Sequence, residues 1–236
     1  MTTQPVTGRT RDFIIWLDRQ IYAFSVHWLA FFNLLVFIYV GLPFAAPALM
    51  KAGLTVPAKA IYTVYSPLCH QFGFRSMFLF GEKPFYEAPE FKALTGIDPY
   101  NLSERWRAKT FNGNEIMGYK VAYCERDVAI YGGILIAGLI FGLIRLTGIK
   151  LKPLHWLAYG VIGIGPIALD GFSQLFSQPP FNFIPLREST PLLRTLTGFL
   201  FGAVNVWFAY PYVEESFVEI SAELNEKLAQ VTVRDS

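Results

Sequence analysis

Four stretches of the chain lack charged residues for long enough to predict helices that cross a membrane. These uncharged runs are residues 20–50, 128–144, 153–169 and 195–213. A helix needs roughly 20 apolar residues to cross a hydrocarbon core of about 30 Å. Pro43 and Pro47 are expected to end the first helix. We therefore predict spans at about 22–42, 127–145, 153–173 and 192–213.

Composition supports an integral membrane protein with the lipid bilayer as its surroundings. Hydrophobic residues make up 53% of the chain and charged residues 16%, outside the usual balance of soluble proteins. The first uncharged run is longer than a signal-peptide core, so we expect it to stay in the mature protein. The net charge is +2 and the basic residues are dispersed. No nucleic-acid surface is therefore expected.

Basic residues predict the orientation of the spans. Arg9, Arg11 and Arg19 precede the first span, and Arg145 and Lys150 lie in the turn after the second. Lys and Arg near the ends of spans are retained on the cytoplasmic side. We expect a multi-pass protein of the plasma membrane with both termini in the cytoplasm, and with loops 43–127 and 176–194 outside.

Two further segments complete the predicted fold, an all-α integral membrane protein with four transmembrane helices. Residues 60–80 are apolar, but a fifth span would violate the charge rule, so we predict a re-entrant or interfacial segment. Residues 82–126 are an outer-face insertion, predicted to form a small extracytoplasmic cap of short helices. The predicted organisation is a cytoplasmic segment 1–19, one bundle 20–213 and a cytoplasmic acidic amphipathic tail 214–236.

A polar pentad, Asp170 to Gln174, follows the third uncharged run. Helical spacing puts Asp170 and Gln174 on one face, and a carboxylate near a membrane is a functional-site hypothesis. Pro191 is suited to the first position of the fourth span, with Ser189 or Thr190 as N-cap. Arg194 would then lie near a positive helix end and need an acidic partner or an anion. Asp170 is the candidate partner, and structural and catalytic interpretations both remain open.

Cys69, His70, Cys124 and Asp127 are candidate ligands for a zinc-like divalent metal. Cys124 and Asp127 are expected at the start of the second span, where the helix dipole favours a thiolate or a carboxylate. A structural disulfide between Cys69 and Cys124 is the competing interpretation, because the predicted topology puts both in an oxidising compartment. Free thiols are the third.

These residues come from four separate pieces of chain that the topology places at one membrane face. Convergence of this kind predicts a shared polar pocket. The candidate catalytic residues are Asp170, Arg187, Arg194 and His70. The other predicted pocket residues are Gln71, Arg75, Arg126, Gln174, Glu188 and Ser189.

The joint pattern resembles a prokaryotic membrane-protein family catalogued as domain of unknown function 2085. The pattern covers roughly residues 60–205. Its first part is Cys-His-Gln, followed by Arg-Ser and Phe-Gly, and its second is Cys-x-Arg, followed by Ile-Tyr-x-Gly. Asp-Gly-x-x-Gln comes next, and the last part is Arg-x-Ser-Thr followed by Leu-Arg-x-x-Thr-Gly. These motifs begin at Cys69, Arg75, Phe80, Cys124, Ile130, Asp170, Arg187 and Leu193. The resemblance implies no established activity.

The resemblance also implies one departure, because members of this family often carry a further cysteine where this chain has Asp127. The replacement removes a Cys-x-x-Cys redox pair from the pattern. Asp still ligates metals. The departure therefore fits a metal site better than dithiol chemistry. The insertion at 82–118 is also longer than the family's usual connection.

Three functional hypotheses follow from the sequence. The first is a metal-dependent enzyme, or a binding site for a lipid-soluble or anionic ligand, at the outer membrane face. The second is a non-catalytic accessory subunit of a larger membrane complex with a Cys69–Cys124 disulfide. In that case the two GxxxG motifs, which begin at Gly138 and Gly198, would contact other subunits or a homodimer partner. A transporter or channel is a weaker third hypothesis, because no inverted repeat is evident.

Overall fold

The computed structural model describes residues 8–235, and side chains up to residue 231. Residues 1–7 of the predicted N-terminal segment and residue 236 of the predicted tail lie outside the described residues. Helices predominate, and their bounds are α1 Arg9–Lys51, α2 Thr55–Tyr65, α3 Ala88–Thr95, α4 Arg105–Thr110, α5 Glu125–Leu146, α6 Trp156–Ala158, α7 Gly165–Ser177 and α8 Pro191–Asp235. A π-helical turn, Tyr159–Ile164, joins α6 to α7. Three short strands are β1 Ser76–Leu79, β2 Gly113–Asn114 and β3 Gly118–Cys124.

Within residues 8–235, four helical segments are long and apolar enough to cross a membrane: α1, α5, the continuous segment Trp156–Ser177, and α8. This confirms the predicted number of spans. Their surfaces carry large exposed apolar side chains, such as Phe37 on α1, Leu143 on α5 and Leu169 on α7. Apolar patches of this extent are typical of a surface covered by lipid. The protein is therefore a helical membrane protein.

The predicted end of the first span at Pro43 is wrong, because α1 continues through both prolines to Lys51. Pro43 has no N–H group, so the carbonyl of Tyr39 lacks its usual helical donor. The hydroxyl of Tyr65 donates to that carbonyl at 3.0 Å. Hydrogen-bond donors from neighbouring segments allow proline inside membrane helices. Both Pro43 and Pro47 are buried within the protein.

Glycines set the close approach of α5 and α8. A Cβ atom at Gly202 would lie 2.0 Å from the carbonyl oxygen of Ile130, and one at Gly198 would lie 2.8 Å from that of Arg126. On the facing helix, Gly133 lies against Phe199. Small residues let helix backbones approach in this way. Gly198 and Gly202 of α8 thus pack against the backbone of α5 inside the bundle, a helix–helix contact that the GxxxG spacing predicts.

Contacts between α1 and α8 stabilise the end of the bundle at which α5 ends. Trp28 is buried, and its indole N–H donates to Glu214 at 2.8 Å. Further along α8, Lys227 pairs with Asp18 at 2.7 Å. The predicted acidic tail therefore continues α8, and its Lys227 contacts Asp18 of α1.

The insertion, defined here as residues 73–124, contains a β-sheet that the all-α prediction missed. The sheet is antiparallel with strand order β1-β3-β2. β3 lies between the other two strands and leads directly into α5. The insertion has its own apolar core, in which Phe78, Phe91 and Met117 are nearly inaccessible. The predicted short helices are present as α3 and α4.

α2 precedes the insertion and is too short to cross a membrane. Its 11 residues rise about 16 Å at 1.5 Å per residue, against a hydrocarbon core of about 30 Å. Tyr62 and Tyr65 of α2 are buried with Val121 and Tyr123 of β3. The prediction that residues 60–80 do not form a further span agrees with this length, and their position at membrane depth stays a prediction.

Candidate functional site

The four predicted polar clusters meet around one cavity of about 470 Å³ at the end of the bundle that carries the insertion. Its walls come from the turn after α2, the start of α4, the start of α5, the end of α7 and the start of α8. The lining residues are Leu68, Cys69, His70, Phe72, Arg75, Arg105, Cys124, Arg126, Asp127, Gly171, Gln174, Leu175, Gln178 and Arg194.

Three of the four predicted metal ligands lie together on one wall. Cys69 Sγ, Cys124 Sγ and a carboxylate oxygen of Asp127 are all within 4.8 Å of one another. Ligands bound to one zinc ion at about 2.3 Å in tetrahedral geometry are separated by about 3.8 Å. Small side-chain rotations bring the three atoms to that separation. The donor set therefore fits an ion of the zinc class, which Cys69, Cys124 and Asp127 would hold.

Local backbone structure positions these ligands. Cys124 is the residue before the first turn of α5, and Asp127 is in that turn. Cys69 Sγ accepts hydrogen bonds from the backbone N–H groups of Gln71 and Cys124 at 3.4 and 3.3 Å. Gln71 adopts a positive φ of 52°, which is uncommon outside glycine. Its side-chain amide, which donates to the carbonyls of Tyr62 and Ala122, holds this turn in place.

The cysteines are free thiols in the structure, so the predicted disulfide is not formed here. A hydrogen bond with the Cys69 thiol and burial raise the pKa of Cys124 well above its usual value, so these effects outweigh the helix start. A buried thiol pair of this kind becomes a thiolate pair when a cation replaces the protons.

His70 lies apart from the three grouped ligands. Cys69 is buried, whereas the adjacent His70 is exposed and stacks on Phe72 with ring centroids 5.6 Å apart. Burial of part of its surface and the nearby Arg75 guanidinium lower the pKa of His70. Consecutive residues in this turn point to different sides, which separates His70 from Cys69. His70 nevertheless lines the same cavity.

Asp170 lies behind the cavity wall and is nearly inaccessible. Its carboxylate pairs with Arg126 at 2.5 Å and with Arg187 at 2.8 Å, and accepts a hydrogen bond from the Ser189 hydroxyl at 2.7 Å. The predicted pairing of Asp170 with Arg194 is therefore wrong. Neither Asp170 nor Arg187 lines the cavity. Their contacts join α7, the loop before α8 and the first turn of α5.

Arg194 does lie in the first turn of α8, and this helix begins at Pro191 as predicted. The Thr190 hydroxyl accepts from the N–H of Leu193 at 3.3 Å, which makes Thr190 the N-cap. The acidic partners of Arg194 are Glu125 at 2.9 Å and Glu188 at 3.0 Å. Both Arg194 and Glu125 are almost completely buried.

Glu188 connects the predicted pocket residues to one another. The guanidinium of Arg75 donates a bidentate pair of hydrogen bonds to the carboxylate of Glu188, at 2.7 and 2.8 Å. Gln178 donates to it at 2.9 Å, and Gln174 also donates to it. Glu188 lies behind the lining residues, as do Gln71 and Ser189. These side chains therefore position the residues that face the cavity.

Sequence reasoning missed Arg105, Gln178 and Glu125. Arg105 belongs to the insertion, where only a cap of short helices was predicted, and no local motif marks it. Glu125 follows Cys124 directly, and an acid in the first turn of a helix has an ordinary electrostatic explanation. Its burial with Arg194 is a property of the packed bundle.

Two comparisons relate the chain to known proteins. A family model described as "Predicted membrane protein (DUF2085)" matches residues 110–208. The chain is also 31% identical over 151 residues to "Uncharacterized protein MJ1492" of Methanocaldococcus jannaschii, an alignment that covers 64% of this chain and 67% of that protein.

The chain belongs to the DUF2085 family. The matched region contains the lining residues Cys124, Asp127 and Arg194 and more than half of the cavity wall, and it also contains Asp170 behind that wall. No solved structure matches the chain. The name of the archaeal relative gives no activity.

Proposed function

We propose that the cavity is a metal-dependent site, an enzyme active site or a binding site for an anionic or lipid-soluble ligand. Cys69, Cys124 and Asp127 would hold a divalent metal of the zinc class. The observation that carries the proposal is the grouping of their three ligand atoms within 4.8 Å on the wall of a 470 Å³ cavity. Catalytic zinc sites characteristically have three protein ligands and one open position.

The surroundings of the ligands support this proposal. A bound metal would supply a Lewis-acid centre at the open position. Arg75, Arg126 and Arg194 face the same cavity, and carboxylates behind the wall hold each of them in place. Asp170 and Glu188 act in this scheme as positioning residues. His70 on the rim is within the cavity lining and is available to exchange protons with a bound ligand.

We also propose that this end of the bundle faces the outside of the plasma membrane, with the insertion as an extracytoplasmic cap and both termini in the cytoplasm. Support comes from the basic residues at the opposite end. Arg145, Lys150 and Lys152 surround the turn between α5 and α6, and such residues are typical of cytoplasmic loops. Cysteine labelling of single-cysteine variants in intact cells tests this orientation.

Elemental analysis of purified protein tests the metal. The protein is extracted in a mild non-ionic detergent, dialysed against metal-free buffer and analysed by mass spectrometry of the metals. We expect about one zinc-class ion per wild-type chain, and less than about a tenth of that in Cys124→Ser and Cys69→Ser. His155→Ala is the matched control, because His155 lies at the opposite end of the bundle. A metal-free wild type with a Cys69–Cys124 crosslink would contradict the proposal and favour the structural disulfide.

A further inference from the structure

The wall of the cavity carries an excess of positive charge. Four arginines line it, namely Arg75, Arg105, Arg126 and Arg194, whereas Asp127 is its one lining carboxylate among the described residues. In the proposed site Asp127 would contribute its charge to the metal. A cavity with several guanidinium groups and an apolar rim is suited to an anionic ligand.

The four arginines differ in how far their hydrogen-bond donors are already used. Arg194 forms ion pairs with two glutamates, and Arg75 donates a bidentate pair of hydrogen bonds to Glu188. Arg126 pairs with Asp170 through Nη2, while its buried Nε has no hydrogen-bond partner within the described chain. Buried donors without a partner cost free energy. Arg126 therefore has spare capacity to donate to a ligand.

Arg105 has still more unused capacity. It is half-buried at the start of α4, and within residues 8–235 it makes no ion pair. Burial and the neighbouring Arg75 guanidinium lower the pKa of Arg105. A charge in this position is destabilised by its surroundings and is stabilised when an anion enters the cavity.

The rim of the cavity on the bundle side is apolar. Leu68 and Leu175 line the cavity and are 54% and 48% exposed. Leu175 is near the end of α7, one of the helices that cross the membrane. The loop that follows α7 also exposes Phe183 and Leu186. These exposed side chains provide an apolar surface next to the cavity against which an apolar chain could pack.

We propose that Arg105 and Arg126 bind the phosphate group of an amphiphile whose apolar chain leaves the cavity over Leu68 and Leu175. Guanidinium groups match phosphate oxygens in geometry, and a phosphate monoester carries more negative charge than a carboxylate. This inference rests on the proposed function, because it names the ligand of the same cavity. The arginines would bind the phosphate group, whereas Cys69, Cys124 and Asp127 would bind the metal.

Binding to the purified, metal-loaded protein in a phosphate-free maltoside detergent tests the inference. The probes are dihexanoyl phosphatidic acid, dihexanoylglycerol, inorganic phosphate and hexanoate, measured by isothermal titration calorimetry. We expect phosphatidic acid to bind at least about tenfold more tightly than each of the others. Inorganic phosphate lacks the chain, dihexanoylglycerol lacks the anion, and hexanoate carries a carboxylate in place of phosphate.

Arg105→Gln is the decisive variant and Arg107→Gln its matched control. Arg107 lies two residues further along α4, is largely exposed and is outside the cavity lining. Because Arg105 makes no ion pair within the described residues, we expect its replacement to leave the fold intact, which the circular dichroism spectrum of the variant checks. We expect Arg105→Gln to weaken phosphatidic acid binding about tenfold or more, and Arg107→Gln to change it less than about twofold.

Metal content, measured on the same samples, separates failure of this inference from failure of the proposed function. Stoichiometric metal without phosphatidic acid binding, or binding that Arg105→Gln leaves unchanged, overturns the phosphate site and leaves the metal site standing. Equal affinity for inorganic phosphate overturns the amphiphile, and equal affinity for hexanoate overturns the preference for phosphate. Arg105-dependent binding to metal-free protein supports the phosphate site while removing the metal.

Discussion

The thiol of Cys124 donates a hydrogen bond to Oδ2 of Asp127 at 3.1 Å, one turn apart at the start of α5. Cys69 is close to both, although 55 residues separate it from Cys124. The proximity of two thiols and a carboxylate is therefore a property of the folded bundle end. It makes position 127 the most informative place to alter the site.

Asp127→Cys should keep the metal, whereas Asp127→Ala should lose it. The cysteine replaces a carboxylate ligand with a thiolate, which zinc-class ions favour. We expect a metal affinity at least equal to that of wild type for Asp127→Cys, and at least about tenfold weaker for Asp127→Ala. Competition with a chromogenic chelator measures both. Equal metal affinity in the two variants would remove Asp127 from the ligand set.

Asp170→Asn should destabilise the protein without removing the metal. The carboxylate is buried and neutralises Arg126 and Arg187. Loss of one partner of a buried ion pair costs about 3–5 kcal/mol, measured as the free energy of unfolding by denaturant in detergent micelles. Asp98→Asn is the control, because Asp98 pairs with Lys92 at the surface. Similar losses in both variants would contradict a structural role for Asp170.

Gly202→Ala should separate α5 from α8. The added Cβ would lie 2.0 Å from the carbonyl oxygen of Ile130, a contact that requires the helix backbones to move. Overpacking of this kind costs about 1–3 kcal/mol or more of unfolding free energy. Gly132→Ala, where a Cβ meets nothing within 4 Å, is the matched control. A Gly202 variant as stable as the Gly132 variant would show that the two helices do not pack at this site.

Stability should increase with pH through a buried lysine. Burial lowers the pKa of Lys120 from 10.5 to about 7, and its ammonium contacts the carbonyls of Gln71 and Lys109. Between these two pKa values the unfolded chain binds more protons than the folded chain. The free energy of unfolding therefore rises with pH by up to about 1.4 kcal/mol per unit from pH 7 to 10.

Lys120→Met provides the comparison, with thermal unfolding followed at each pH. The wild type should gain stability relative to this variant as the pH rises from 7 to 10. Below pH 7 the difference should stay constant, because Lys120 is then protonated in both states. A difference that is independent of pH across the whole range would show that Lys120 has an ordinary pKa.

The sequence predicted the number of spans, the start of α8 at Pro191 and the chain segments that meet at the cavity. Uncharged runs and helix-start signals are local and need no knowledge of partners. The predicted helix end at Pro43 was wrong because the carbonyl that the proline frees is satisfied by Tyr65, from another helix. The pairing of Asp170 was wrong for a related reason, since several arginines compete for few carboxylates and packing decides among them.

The sheet and Arg105 were missed for different reasons. β1 and β3 are separated by almost 40 residues of chain, and pairing at that distance leaves no periodic signal in one short strand. Arg105 is one of several charged residues in the insertion, and only the fold of α4 brings it to the cavity wall. His70 was predicted as a fourth metal ligand, but the grouped ligand atoms are those of Cys69, Cys124 and Asp127.

X-ray absorption at the zinc edge tests the metal site most directly. Purified wild-type protein, loaded with one equivalent of zinc, should show two sulfur scatterers at about 2.3 Å and nitrogen or oxygen scatterers at about 2.0–2.2 Å. Cys124→Ser should lose the two-sulfur shell together with the bound zinc, and His155→Ala should leave the spectrum unchanged. A first shell without sulfur in the wild type would contradict the proposal that Cys69 and Cys124 hold the metal.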